Sequence, residues 1–340
     1  HIYYDEIKKY TKTHQFEPLM TIYFNEGLTL EELKKIKASS KIIGIKLYPK
    51  GVTTNSNKGI NSFESGYKIF EMMEELEIPL LIHGEVNDKS VDIFDRERIF
   101  IEKHLSKAHK EFPNLKIVLE HISTKDSTEF VKDSSKKIAA TITPQHLLYN
   151  RNELFLGGLR PHAFCLPVLK REEHRVAVLN AAISGNPKFF LGTDSAPHKR
   201  AEKESSCGCA GIYSAFNAME IYAEIFDQNN AIEKLENFCS KFDINKHLKF
   251  KAMATAVKTK DYELIRKNGY KIKKVTANNE TKYAVLQYKT FLRFFKEFKM
   301  WNYVRNKENK QVRLFKDLRS AQAYINYMIN PAMNKQDLEA

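Results

Sequence analysis

Six short apolar runs, each about one strand long, recur through the first 194 residues and limit the folds open to this chain. They are Pro18–Phe24 (PLMTIYF), Ile42–Tyr48 (IIGIKLY), Pro79–Glu85 (PLLIHGE), Lys116–Ile122 (KIVLEHI), Ile138–Thr143 (IAATIT) and Lys188–Asp194 (KFFLGTD). Between most of them lie stretches with apolar residues three or four apart, such as Leu30–Lys37 and Ser65–Leu76, and that spacing predicts helices. Strand–helix alternation of this kind means parallel strands joined by crossovers.

Two parallel folds compete, a doubly wound sheet and a barrel. A dinucleotide-binding sheet would carry a glycine-rich turn after a strand, and no GxGxxG is present. Polar residues decide the matter. Lys46, His83, His121 and Asp194 each sit within or at the C-terminal end of a different run, and groups gathered from many strand ends are the habit of the (β/α)8 barrel. The expectation is an incomplete TIM barrel with about six of its eight strands.

Charge then divides the chain. Residues 1–240 carry 32 Lys and Arg against 33 Asp and Glu, whereas residues 241–340 carry 23 against 9. A boundary near residues 243–255 follows, with a barrel over 1–250 and a small basic α+β segment over 251–340. In that segment Tyr270–Val275 and Lys282–Gln287 flank Asn278 and Asn279 as a hairpin. Phe291, Phe294, Phe295 and Phe298 recur at helical spacing, and Ser320–Ile329 predicts a further helix before Pro331. Any nucleic-acid contact would run through this basic segment. It has no nucleic-acid motif, so a solvated cationic surface is the simpler expectation. No run of about 18 apolar residues exists to span a membrane. Four cysteines (Cys165, Cys207, Cys209, Cys239) are too few for a disulfide framework and point to a reducing compartment, the cytoplasm.

The polar strand residues carry the chemistry. Lys46 lies inside IIGIKLY, where a free ammonium is strongly disfavoured unless paired, titrated or chemically altered. One answer is a neighbouring carboxylate. Another is reaction with carbon dioxide to give a carbamate, an anion able to bridge two metal ions. A lone strand-end histidine is usually a satisfied structural group. His83 and His121 at equivalent ends of neighbouring strands, with Asp194 and Lys46 on others, instead point to a divalent-metal site with zinc favoured. Asp194 would be a helix N-cap in the structural reading, and a ligand and proton carrier beside a metal. Thr53 and Thr54 lie in the polar run between Gly51 and Gly59, which reads as a lid or as an ordinary βα-loop. Cys207-Gly208-Cys209 has the wrong spacing for a usual zinc site and reads as a tight loop. His146 and His162 acquire no role.

The stretches GIKLYPKGVTTNS, PLLIHGEV, VLEHISTKD, ATITPQHLLYNRN, RPHAFCLP and FFLGTDSAPHKRAEKESSCGCAG, in this order, resemble dihydroorotase of the amidohydrolase superfamily, in its compact bacterial type. The resemblance runs from about Phe16 to Phe242. It implies zinc-dependent, reversible hydrolysis of dihydroorotate to N-carbamoyl-L-aspartate in pyrimidine synthesis, by a cytoplasmic homodimer. It implies that Lys46 is the carboxylated lysine bridging two zinc ions, and that His83 and His121 complete one ligand set. Asp194 would bind the other zinc and act as general acid and base. His198 would contact the substrate carboxylate, the backbone at Leu166 and Ala210 would hold the ring, and Thr53 and Thr54 would form the tip of a closing loop.

The same resemblance calls for a first strand ending in His-x-His, an arginine after it, and an asparagine on the second strand. None of these is in the sequence, and the chain starts at His1 and not Met, so a fragment or processed product is expected. On that footing one zinc is held in place of two, and the chain by itself is inactive. The alternative is a non-catalytic dihydroorotase-like partner of aspartate transcarbamoylase. Loss of ligands would mark that case, and Lys46, His83, His121 and Asp194 are all retained.

Overall fold

A computed structural model describes residues 2–11 and 16–241 and, beyond these, strand segments between 265 and 315. The chain divides into two compact units, His1–Ala256 and Val257–Ala340. After α1 (Ile2–Tyr10), the first unit alternates β1 (Met20–Tyr23), α2 (Leu30–Ala38), β2 (Ile42–Leu47), α3 (Tyr67–Glu75) and β3 (Leu80–His83). Then come α4 (Arg96–Phe100) and α5 (Ser106–Glu111), β4 (Ile117–Glu120), α6 (Lys125–Asp133), β5 (Ile138–Ile142) and α7 (Pro144–Leu148). The unit continues through α8 (Glu172–Ile183), β6 (Phe189–Leu191), α9 (Arg200–Lys203) and α10 (Ala218–Gln228).

The six strands form one sheet in sequential order, β1 to β6, and each is parallel to the next. Strictly sequential order is barrel topology, because a doubly wound sheet reverses direction at a switch point. The architecture is therefore the incomplete (β/α)8 arrangement expected, with six strands described. Every strand is shorter than its apolar run, and the residues left over at the C-terminal ends become the start of a loop.

Register explains which side chains meet. Tyr23, Lys46, Leu81, Val118 and Ala139 are successive partners across β1 to β5, so they form one row on one face. Two residues further on, His83 pairs with Glu120, and Thr141 pairs with Phe190, forming the next row of that face. Leu81, Val118, Ala139 and Phe190 close this face as an apolar cluster. The opposite face, with Leu80, Ile82, Ile117, Leu119, Ile138 and Ala140, is buried as well. Burial on both faces accounts for the unbroken apolar runs.

Local signals set the helix starts. Thr29 caps α2, its hydroxyl accepting from Glu32 N while the Glu32 carboxylate accepts from Thr29 N, and α2 buries Leu33 and Ile36. Thr124 caps α6 and Thr143 caps α7, with Pro144 in the first turn of α7. No helix of the described residues is long and apolar enough to cross a membrane.

In the second unit, β7 (Ile265–Lys267), β8 (Tyr270–Ala277), β9 (Glu280–Thr290) and β10 (Lys299–Tyr303) form an antiparallel sheet, and β11 (Leu314–Phe315) also pairs with β9. The β8–β9 pairing spans the hairpin expected around Asn278 and Asn279. The helices expected over the Phe291–Phe298 repeat and Ser320–Ile329 lie outside the described residues.

Candidate functional site

At the C-terminal ends of the first unit's strands lies a cavity of about 280 Å³. His83, His121, Asp194, Thr53, Thr54, Leu166, His198 and Ala210 all line it, together with Tyr48, Asn55, Ala196, Pro197 and Gly211. Residues as much as 163 positions apart thus share one wall. Lys46 alone of the expected site residues is not part of the lining. It is 9% exposed, one row deeper on β2, where its ammonium is paired with Glu120 and lies 4.8 Å from the Tyr48 ring centroid. Glu120 is the neighbouring carboxylate that the first of the two answers called for. Glu120 was not legible as a partner because it sits 74 residues away on β4.

His83 ends β3 with 1% exposure, and its Nε2–H donates to Glu85 Oε2 at 2.8 Å. His121 follows β4. Strict alternation would turn it to the helix face, because Glu120 already occupies the Lys46 face. A left-handed backbone, φ +46°, breaks the alternation, and the two imidazole centroids come within 4.7 Å. Thr141 on β5 holds this turn: its hydroxyl accepts from His121 N at 2.7 Å and its carbonyl accepts from Ile122 N at 3.0 Å. Burial, with Lys46 and His83 nearby, pushes the His121 ring well below the ordinary imidazole range, so it is neutral. Its Nδ1 is buried with no hydrogen-bond partner.

Asp194 lies three residues past β6, also left-handed at φ +42°. Two residues earlier, a Cβ on Gly192 would come within 2.6 Å of Thr141 Cβ, so only glycine allows β6 to approach β5 here. The Asp194 carboxyl opens on the cavity, yet burial raises its affinity for a proton; Lys46 and His83 oppose this and Glu120 adds to it. Asp194 does not cap α9, whose N-cap is Lys199.

The remaining wall is three interlocked loops. Residues 49–60 close on themselves: Lys50 N and Ile60 O bond at 2.9 Å, and a Cβ on Gly59 would come within 2.3 Å of Tyr48 O. At the tip, the Thr54 hydroxyl donates to Ala210 O at 3.3 Å, and His198 Nε2 donates to the same oxygen at 3.0 Å. Lys203 underlies this arrangement. It is 3% exposed, and its ammonium donates to the carbonyls of Phe164, Cys209 and Gly211, tying the Leu166 loop to the Ala210 loop. Cys207 and Cys209, 3.6 Å apart at sulfur, lie in the tight loop expected.

Sequence reading missed the polar layer behind these residues. Glu97, 1% exposed, accepts from Ser123 N, Ser123 Oγ, Thr124 N, Thr124 Oγ1 and Ser127 Oγ, so it anchors the loop that follows His121. Burial raises its proton affinity, but Lys170 and these hydroxyls outweigh that and hold the carboxyl below its usual range. His146 is buried too, bonded to Thr143 Oγ1 at 2.7 Å and Pro167 O at 2.9 Å, beside the Leu166 loop. His162 lies apart, 3.0 Å from Glu204. The only available signal was polar type inside or beside an apolar run, and it does not name partners.

Two adjacent imidazoles, one of them with an orphaned ring nitrogen, and a carboxylate suit a borderline-soft cation such as zinc. Among the described residues, no three His, Cys, Asp or Glu side chains form a ligand set by themselves. The donor set is complete only with an anionic group at Lys46.

No family model matches the chain. Dihydroorotase of Shewanella sp. (strain ANA-3) is 56% identical over 239 residues, covering 70% of this chain and 70% of that protein. The Campylobacter jejuni dihydroorotase structure superimposes with a TM-score of 0.66 at 34% identity, covering 93% of this chain and 81% of the other. That of Saccharomyces cerevisiae dihydroorotase in complex with 5-fluoroorotic acid gives 0.67 at 30% identity, covering 93% and 85%.

Proposed function

Because the chain belongs to the dihydroorotase family of cyclic amidohydrolases, we propose that its cavity takes dihydroorotate and N-carbamoyl-L-aspartate, opening and closing the ring amide as a step of pyrimidine synthesis. One observation carries the reading. Eight residues drawn from five separate motifs line a single cavity sized for a small cyclic molecule. In the same reading, the protein works in the cytoplasm as a homodimer.

Lys46 as its carbamate, His83 and His121 would hold one zinc, and Asp194 with the shared carbamate would hold a second. Forming the carbamate joins the neutral Lys46 amine to carbon dioxide and releases a proton, so the ion pair with Glu120 must first open. Zinc, when bound, polarises an amide carbonyl and makes water a stronger acid. The chain's own residues do the rest. Asp194 takes a proton and returns it to the departing ring nitrogen. His198 and the Thr53 and Thr54 hydroxyls receive the substrate carboxylate. Backbone groups at Leu166 and Ala210 orient the ring, and the 49–60 loop keeps water out.

The test is zinc content and dihydroorotate ring opening, measured together on the 340-residue chain and on Lys46→Ala, His83→Ala and His121→Ala. The parent should retain zinc through gel filtration, and each variant should lose it along with whatever ring opening the parent shows. A parent without zinc, or variants that keep it, overturns the reading.

A further inference from the structure

Glu85 and Lys170 are buried charges that the proposed chemistry does not use. Glu85 is 1% exposed and Lys170 3%. One carboxylate oxygen of Glu85, Oε2, lies 2.8 Å from His83 Nε2. The other, Oε1, makes no hydrogen bond and lies 4.0 Å from the Lys170 ammonium, which itself donates to Val168 O at 3.0 Å. Burying such a pair is costly, and two apolar side chains would fill the same space at no such cost. Through the Glu85–His83 bond the pair reaches the cavity wall. A carboxylate only accepts, so its partner nitrogen must carry the proton, and His83 Nδ1 is left with the free lone pair.

We propose that Glu85 is a positioning residue for His83, with Lys170 as its buried partner: the pair fixes the tautomer and ring angle of the imidazole, so that Nδ1 is the nitrogen offered to a metal. This rests on the reading of His83 as a zinc ligand. Glu85 itself touches neither substrate nor metal. Its effect passes through the ring, as carboxylate–histidine pairs act behind metal sites in general.

Two measurements test it. The first is the ring-nitrogen NMR shifts of His83 in the metal-free 340-residue chain, which need no variant. A single Nε2–H tautomer is expected, and an Nδ1–H tautomer overturns the proposal. The second compares Glu85→Gln with the double variant Glu85→Leu/Lys170→Met in zinc competition against a chelator. The double variant removes both charges together, so neither is left buried alone. It should populate both tautomers and bind zinc about 10–100-fold more weakly. Glu85→Gln keeps an acceptor and should stay within a few-fold of the parent. A double variant with parental zinc affinity and a single Nε2–H tautomer overturns the proposal. Failure of the zinc reading shows separately, as a His83→Ala variant that binds zinc like the parent; the tautomers then decide the positioning role by themselves. If the double variant does not fold, the parent's tautomer still decides.

Discussion

His146 sits uncharged beneath the cavity, its two ring nitrogens bonded to Thr143 and to the Pro167 carbonyl. Burial lowers its pKa from 6.5 to about 4, against the Pro167 bond that favours the protonated ring. Between those values the unfolded chain takes up a proton that the folded chain refuses, so stability is lost as the pH falls from about 6.5 towards 4. The loss from this residue is on the order of 1–3 kcal/mol. His146→Gln removes it. Chemical denaturation should show the variant's deficit largest at pH 7 and clearly smaller by pH 4.5. A deficit that is constant with pH would mean the imidazole takes up its proton alike in the folded and the unfolded chain. The sequence marks this histidine only as one more polar residue after a strand. Its two bonds come from the start of α7 and from a loop 21 residues away, so its role could not be read locally.

At the level of elements, the loop between β4 and α6 is the most heavily supported part of the site. Glu97 on α4 receives two backbone and three hydroxyl donors from Ser123, Thr124 and Ser127, and His121 precedes them in a left-handed turn. Glu97→Ala would strand those donors and leave Lys170 with one fewer counter-charge. A stability loss of about 3–5 kcal/mol is expected by urea denaturation, with zinc affinity falling alongside. Glu97→Gln keeps an acceptor and should lose only about 1–2 kcal/mol. Equal losses in the two variants would show that the charge of the carboxylate, and not its role as acceptor, supports this loop. The strand–helix alternation and the caps at Thr29, Thr124 and Thr143 were legible because they rest on neighbours in sequence. Glu97 was not, because its partners lie 26 to 30 residues downstream.

For the whole molecule, the question is how the two units divide the work. Every residue proposed for metal or substrate lies between Lys46 and Ala210, within the first unit. We therefore expect a chain ending at Ala256 to keep the parent's zinc affinity. In the proposed reading Lys46, His83 and His121 would give one ion three protein ligands, whereas Asp194 and the shared carbamate would give a second ion only two. Structural and catalytic zinc sites use three or four. Metal analysis after dialysis against a chelator should find one zinc per chain in both the full and shortened forms. Two retained zincs would show that a further ligand completes the second ion's set, and loss of zinc on shortening would show that residues beyond Ala256 take part.

The order of the strands, their parallel direction and the identity of the polar groups at their C-terminal ends were written in the sequence, because hydrophobic periodicity and strand-end position are local properties. The long motifs around Lys46, His83, His121 and Asp194 carried the family as well. Tertiary structure alone decided how these groups face one another. His121 turns inward only because Thr141 on the next strand stabilises a left-handed backbone, and Asp194 reaches the cavity through a contact with that same threonine that only Gly192 permits. Glu85, Glu97, Glu120, Lys170 and Lys203 have meaning only through partners brought close by the parallel register. A buried charge is interpretable once its counter-charge is known, and in this fold the two come from different strands and loops.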